Sequence, residues 1–248
     1  DVSSSAGIYT SNIGFGLGVT IGDINLDGWS DLFISNDFFE KDYLYINNKD
    51  GSFKESLEEY VNETSMGSMG ADMADINNDG YSEIFVTEML PDRHDRRVSK
   101  AVFDNWDKYQ FSIDQGYFHQ FNRNVLQLNN QDGSFSEISR ITGVDATDWS
   151  WGALIFDMDN DGNKDIFVAN GHVIDNINLI YKQYEHAQHN QIYINQGNST
   201  FLDKTIYFGK DLMNKAVSRG AAFGDIDNDG DSDFMISNNN ERAAVFYN

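Results

Sequence analysis

Short apolar runs alternate along this chain with clusters of Asp, Asn and Gly. Leu32-Phe33-Ile34, Ile84-Phe85-Val86, Ile166-Phe167-Val168 and Phe234-Met235-Ile236 are β-branched and aromatic stretches bounded by turn residues, which predicts strands rather than helices. Each follows a nine-residue acidic segment, and each acidic segment follows a small-residue stretch opened by glycine: Gly18 to Gly22, Gly70 to Ala74, Gly152 to Phe156 and Gly220 to Gly224. A second unit recurs as Tyr43 to Asn48 with Asp50-Gly51-Ser52-Phe53, as Val125 to Asn130 with Asp132 to Phe135, and as Gln191 to Asn195 with Ser199 to Phe201; a fourth copy is seen at Val245 to Asn248. The Asn-Asn-x-Asp-Gly-Ser-Phe pieces predict hairpin turns.

The spacing defines a repeat. Asp23 and Asp75 open acidic segments 52 residues apart; the following intervals are 82 residues to Asp157 and 68 to Asp225. Units of about 40–50 residues with several short strands predict blades of a β-propeller, an all-β fold. A β-sandwich is the alternative, but sandwiches seldom carry such regular spacing. The whole of 1–248 is read as one propeller segment of four repeats, with a short helical insertion at about 91–122 and a second insertion at about 171–190. The repeat pattern stops in mid-unit at both ends, so the expectation is part of a larger propeller, with a closed ring of these four blades as the smaller alternative.

The acidic segments read Asp-x-(Asp/Asn)-x-Asp-Gly-x-x-(Asp/Glu), with oxygen ligands at positions 1, 3, 5 and 9, a backbone carbonyl at position 7 and glycine at the sharp turn. This is hard-oxygen chemistry of the calcium type. The expected sets are Asp23, Asn25, Asp27, the Trp29 carbonyl and Asp31; Asp75, Asn77, Asp79, the Tyr81 carbonyl and Glu83; Asp157, Asp159, Asp161, the Asn163 carbonyl and Asp165; and Asp225, Asp227, Asp229, the Asp231 carbonyl and Asp233. Position 7 varies freely, as a carbonyl ligand allows. An EF-hand is excluded, because position 12 is Ile34, Val86, Val168 or Ile236 instead of a bidentate Glu. Gathering several carboxylates in one turn costs mutual repulsion unless a cation neutralises it, so about four Ca2+ ions are expected, one per loop. Magnesium, which keeps several waters, suits these loops poorly.

Charge agrees with a cation-binding chain. Forty acidic residues against 17 basic give a formal charge of -23, which excludes nucleic acid and anionic membrane surfaces as partners. No apolar run reaches the length of a membrane span. The absence of cysteine removes disulfides, thiolate zinc sites and cysteine nucleophiles, leaving metal ions as the expected staple.

At these loops the chain resembles the FG-GAP/VCBS repeat family, which includes the calcium-bearing blades of integrin α-subunit propellers. Finer features are similar to large bacterial VCBS-repeat surface proteins of the type associated with an ASPIC/UnbV domain: Asp1-Val2-Ser3 with Ala6-Gly7-Ile8, Met89-Leu90-Pro91-Asp92, Asn124 to Asn130, Ala146 to Gly152, and Ala169-Asn170-Gly171-His172. The resemblance implies a propeller with calcium in its blade loops, exported or cell-surface, secreted or on a bacterial outer membrane, and used for protein or glycan binding and adhesion.

The remaining candidates lie in the insertions. The first opens with Asp92-Arg93-His94-Asp95-Arg96-Arg97, the only basic cluster, followed by Val102, Phe103, Trp106, Tyr109, Gln110 and Ile113 at helical spacing. It reads as an amphipathic helix packed on a blade or as a ligand-binding arm, with the arginines suited to a carboxylate or uronic acid. The second holds His172, Glu185, His186 and His189, whose spacing is not that of metalloproteases; a turn or packing role is expected for His172. Trp149 and Trp151 alternate, one expected in the core. Asn62-Glu63-Thr64 and Asn198-Ser199-Thr200 are glycosylation sequons. With no nucleophile elbow, phosphate loop or dinucleotide fingerprint, the reading is a non-catalytic binding module. The rivals are a polysaccharide lyase-like enzyme using Arg93, His94, Arg96, Arg97, His119 or His172, and a subunit of an outer-membrane uptake complex.

Overall fold

The predicted apolar runs become the second strands of four small antiparallel sheets. In the computed structural model, which describes residues 1–10, 14–100 and 106–248 (Ser99 and Lys100 as backbone only), the first sheet contains β1 (Gly16–Gly22), β2 (Asp31–Asn36), β3 (Tyr43–Asn47) and β4 (Phe53–Glu55), in that order. A helical turn α1 (Leu57–Tyr60) and the two-residue strand β5 (Thr64–Ser65) lead to the second sheet. That sheet is β6 (Ala71–Ala74), β7 (Glu83–Val86), β9 (Val125–Asn129) and β10 (Phe135–Glu137), interrupted by α2 (His94–Lys100), α3 (Trp106–Asp114) and β8 (Gln120–Phe121). After α4 (Ser139–Thr142) comes the third, β11 (Ser150–Phe156), β12 (Asp165–Asn170), β13 (Gln191–Asn195) and β14 (Phe201–Asp203), with α5 (Ile177–Ile180) in its insertion. The last sheet has β15 (Ser218–Gly224), β16 (Asp233–Asn238) and β17 (Ala244–Phe246).

These sheets are the four blades of a β-propeller. Their innermost strands touch in the order β1, β6, β11, β15. The close approach is paid for in side chains: a Cβ on Gly70 would lie 2.3 Å from the Trp151 carbonyl of the next blade, and one on Gly152 would lie 3.0 Å from the Arg219 carbonyl.

Three apolar clusters fill the three junctions. Phe33, Leu44 and Ile24 of blade 1 meet Ile84, Val86 and Val125 of blade 2. Phe85, Leu126 and Ile76 of blade 2 meet Ile166, Val168 and Tyr193 of blade 3. Phe167, Ile192 and Met158 of blade 3 meet Phe234 and Ile236 of blade 4. At these three junctions the middle residue of the apolar run (Phe33, Phe85, Phe167) faces the next blade, and the flanking residues (Ile84 and Val86, Ile166 and Val168, Phe234 and Ile236) face the previous one, which is why the runs of blades 2 and 3 are apolar throughout instead of alternating. Each such side chain contributes about 1.5–3 kcal/mol on burial, so stacking between blades outweighs any single turn.

The expected helical insertion is present, with the stripe residues Tyr109 and Ile113 half-buried and Gln110 exposed. Among its described residues α3 buries none, and Trp106 and Phe111 are exposed; Val102 and Phe103 lie outside the described residues. The insertion is held instead where it returns, by a parallel pairing of β8 with β5 in the linker between blades 1 and 2. Among the described residues no helix is long and apolar enough to cross a membrane.

Candidate metal centres and clefts

Each acidic loop joins the first strand of a blade to the second, and its shape follows from its sequence. Position 6 glycines Gly28, Gly80, Gly162 and Gly230 all have positive φ, between 85° and 102°, and the residue at position 4 is left-handed too. In three loops that residue is asparagine, which tolerates the conformation; in the first it is Leu26, at φ 53°. The turn brings backbone donors onto the position 1 carboxylate. Asp23 accepts the Asp27 and Gly28 N–H groups at 3.0 and 2.8 Å, and Asp75, Asp157 and Asp225 repeat both contacts.

Position 9 has a second task that spacing alone did not reveal. Asp31 accepts the Ile24 N–H with one oxygen (3.0 Å) and the Asn47 N–H of β3 with the other (2.8 Å). Asp165 does the same with Met158 and Asn195, both at 2.9 Å, and Asp233 with Ile226 and Asn248. Glu83 accepts the Ile76 N–H at 2.9 Å and leaves Oε1 buried without a hydrogen-bond partner. Burial raises the Asp31 carboxyl above its ordinary value, Glu83 to about 7 and Asp165 to about 6, with the other loop carboxylates adding to the rise. Asp159 and Asp227 are raised as well, by desolvation and by their acidic neighbours.

Three carboxylates converge in each of the last two loops. Asp157, Asp159 and Asp165 each bring one ligand oxygen within 4.8 Å of the others, as do Asp225, Asp227 and Asp229. In the first two loops Asn25 and Asn77 occupy position 3, and their amide oxygens accept the Asp27 and Asp79 N–H groups. An all-oxygen donor set, mutual repulsion and a buried Glu83 oxygen without a partner fit a hard divalent cation.

The insertions border two clefts. A polar one of about 520 Å³ lies between them, lined by Asp92, Arg93, Arg96, Asp148, Gln188 and Asn190 among others. Its cations are engaged: Arg96 pairs with Asp148 through both terminal nitrogens, and Lys215 with Glu185. The second, of about 510 Å³, runs beneath α3 and is lined by Phe39, Trp106, Tyr109, Tyr117, Phe118 and Phe121, with Lys108, Gln120, Asn122 and Arg123. The Tyr109 ring stacks on Phe121 at 5.6 Å and its hydroxyl meets His119 Nδ1 at 2.6 Å. This aromatic gathering draws on residues between 39 and 140, of which the sequence pointed only to Trp106 and Tyr109.

The candidates for acid–base chemistry are scattered. Arg97 reaches the Pro91 carbonyl, His94 is exposed, and His172 is buried against Trp149 at 3.9 Å with its Nδ1 accepting the Ile174 N–H, the packing role expected of it. No histidine joins a metal-type cluster among the described residues. Neither Trp149 nor Trp151 lies in the core: both are half-buried, and Trp151 donates to the Gly171 carbonyl beneath the Arg219 guanidinium.

Fold and loops together define a β-propeller whose blades each carry an acidic oxygen-rich turn. The profile of FG-GAP-like repeats matches residues 7–86 and 111–168, so the chain belongs to the FG-GAP-like repeat family. No curated protein matches. A solved structure of a lectin from Agrocybe aegerita, titled for specific recognition of non-reducing terminal N-acetylglucosamine, is similar over 96% of this chain and 67% of its own, at 15% identity and a TM-score of 0.38. At that distance it says nothing about what this chain binds.

Proposed function

We propose that this chain is a calcium-loaded, non-catalytic propeller module of an exported or cell-surface protein, and that it binds a glycan or protein ligand through the cleft beneath α3. The observation that carries this reading is the aromatic lining of that cleft. Trp106 and Tyr117 are both exposed in the lining of this cleft. Aromatic faces beside amide and ammonium donors suit the apolar face and hydroxyl rim of a sugar ring, or an apolar side chain of a partner protein. Calcium would hold the blade loops, leaving the cleft to do the binding.

A glycan array followed by calorimetry on the hits tests this. Binding weakened at least tenfold by Trp106→Ala or Tyr117→Ala, with the melting temperature unchanged, is the expected result. Binding untouched by both substitutions, or turnover of an acidic polysaccharide, would overturn it.

A further inference from the structure

The two clefts differ in charge more than in size. Four carboxylates line the polar cleft between the insertions: Asp92, Asp148, Glu185 and Asp203. Its cations are taken, Arg96 by Asp148, Lys215 by Glu185 and Arg93 by Asp95. An anionic group entering it would meet more negative charge than positive. The cleft beneath α3 has the reverse lining. Lys108, Arg123 and Arg140 border it, and among the described residues no Asp or Glu does. Acidic residues outnumber basic ones 40 to 17 in this chain, so such a lining runs against its composition.

These cations have different tasks. Arg123 is buried, its Nη2 donates to both Glu63 and Glu137, and its guanidinium lies 4.9 Å from the centre of the Phe121 ring. It fixes the aromatic wall, because Phe121 in turn stacks on Tyr109. Arg140, on α4, is exposed, and among the described residues no carboxylate pairs with it. Its guanidinium is a planar fork that matches a carboxylate or a sulfate. The arginines that the sequence suggested for this role, Arg93, Arg96 and Arg97, are each paired with an aspartate of the chain.

Topology keeps the acidic loops away from this cleft. Each loop joins the first strand of its blade to the second, whereas Phe39 and the first insertion follow the second strand, at the other end of the sheet. β2 alone spans six residues, roughly 20 Å at about 3.3 Å per residue. Charges at physiological ionic strength are screened over about 8 Å. The cleft therefore feels its own cations more than the loops.

Resting on the reading of this cleft as a binding site, we propose that its ligand is an acidic sugar. One ring face lies on Trp106 or Tyr117, and a carboxylate or sulfate carried beside that ring is bound by Arg140. Aromatic faces alone would equally suit a cationic ligand, but that ligand would meet three like charges. The ligand is a short segment with few charges, since a densely charged polymer would be repelled by the net charge of -23.

A glycan array in calcium tests this, with uronate-bearing and sulfated oligosaccharides beside their neutral counterparts (uronates methyl-esterified, sulfates removed), followed by calorimetry on the hits. The expected result is binding of acidic members at least tenfold tighter than of their neutral counterparts, and the arm that binds names the anion. Arg140→Gln should weaken that binding at least tenfold and Arg140→Lys by less, with the melting temperature unchanged in both. Neutral counterparts bound as tightly as acidic ones, or an Arg140→Gln affinity equal to the wild type, would overturn this inference and leave the cleft a glycan site. Acidic binding untouched by Trp106→Ala, or no glycan bound at all, would overturn the inference together with the glycan reading of the cleft.

Discussion

Asn195 holds two blades and a loop at once. Its N–H donates to Asp165 of the third acidic loop at 2.9 Å, and its side-chain amide donates to the Ile76 carbonyl of the preceding blade at 2.7 Å. The loop that would carry the cation is thereby tied to the strand that sets the blade spacing. Loss of the ion would be felt in the stacking of blades as well as in the turn.

Chelation should therefore destabilise the whole chain. A ligand held at about 100 times its dissociation constant stabilises the folded state by about 2.7 kcal/mol, which for a chain of this size is about 5–10 °C in melting temperature. Calorimetric melts in excess calcium and in EDTA should differ by at least that amount, which is the contribution of one site, and titration should approach four ions per chain. Coincident melts would count against structural calcium.

Leu26 is the misfit of the first loop. Its counterparts Asn78, Asn160 and Asn228 occupy the same left-handed conformation, where a branched apolar side chain costs about 1 kcal/mol and asparagine costs less. Leu26 is also exposed, so no core contact is lost on replacing it. Leu26→Asn should raise the unfolding free energy by about 0.5–1 kcal/mol in urea melts, with no change in slope.

Sequence carried the blades and the loops because both repeat: four acidic turns in register with four apolar runs admit few architectures. It did not carry the double hydrogen bond of Asp31, Asp165 and Asp233, since a carboxylate that pins two backbone N–H groups is spelled the same way as one that only binds metal. Nor did it carry the aromatic cleft as a whole, because Phe39 and Tyr117 join Trp106 across a long stretch of chain. The helical spacing in the first insertion was legible, while the partners of Tyr109, which are His119 and Phe121, were not. Spacing reports periodicity, and what a face packs against is decided by distant chain.

Asp42 should make stability fall with rising pH. Its carboxyl is buried, accepts the Asn36 N–H and the Ser68 hydroxyl, and is pushed up to about 7 by desolvation. The folded chain then keeps a proton that the unfolded chain releases near pH 4. This contribution is complete below about pH 4 and is lost as pH rises towards 7, a decline of about 1–4 kcal/mol. Asp42→Asn keeps the acceptor for Asn36 and offers an amide to Ser68, and should flatten that slope. Urea melts of both proteins from pH 4 to 8 give the difference; parallel curves would place the Asp42 carboxyl near its ordinary value.

Gly70 separates steric contact from conformational freedom. Its φ lies outside the left-handed region, so alanine there meets no backbone strain and would on that ground be mildly stabilising. Its Cβ would sit 2.3 Å from the Trp151 carbonyl and 3.0 Å from the Gly152 Cα, backbone atoms of the next blade that move only if the inner strands part. Overpacking of this kind costs about 1–3 kcal/mol. Gly70→Ala should lower the melting temperature by about 2–12 °C, whereas Gly220→Ala, which meets a single movable hydroxyl, should shift it far less. Equal shifts in the two variants would mean that the inner strands of blades 2 and 3 are not held at the separation described.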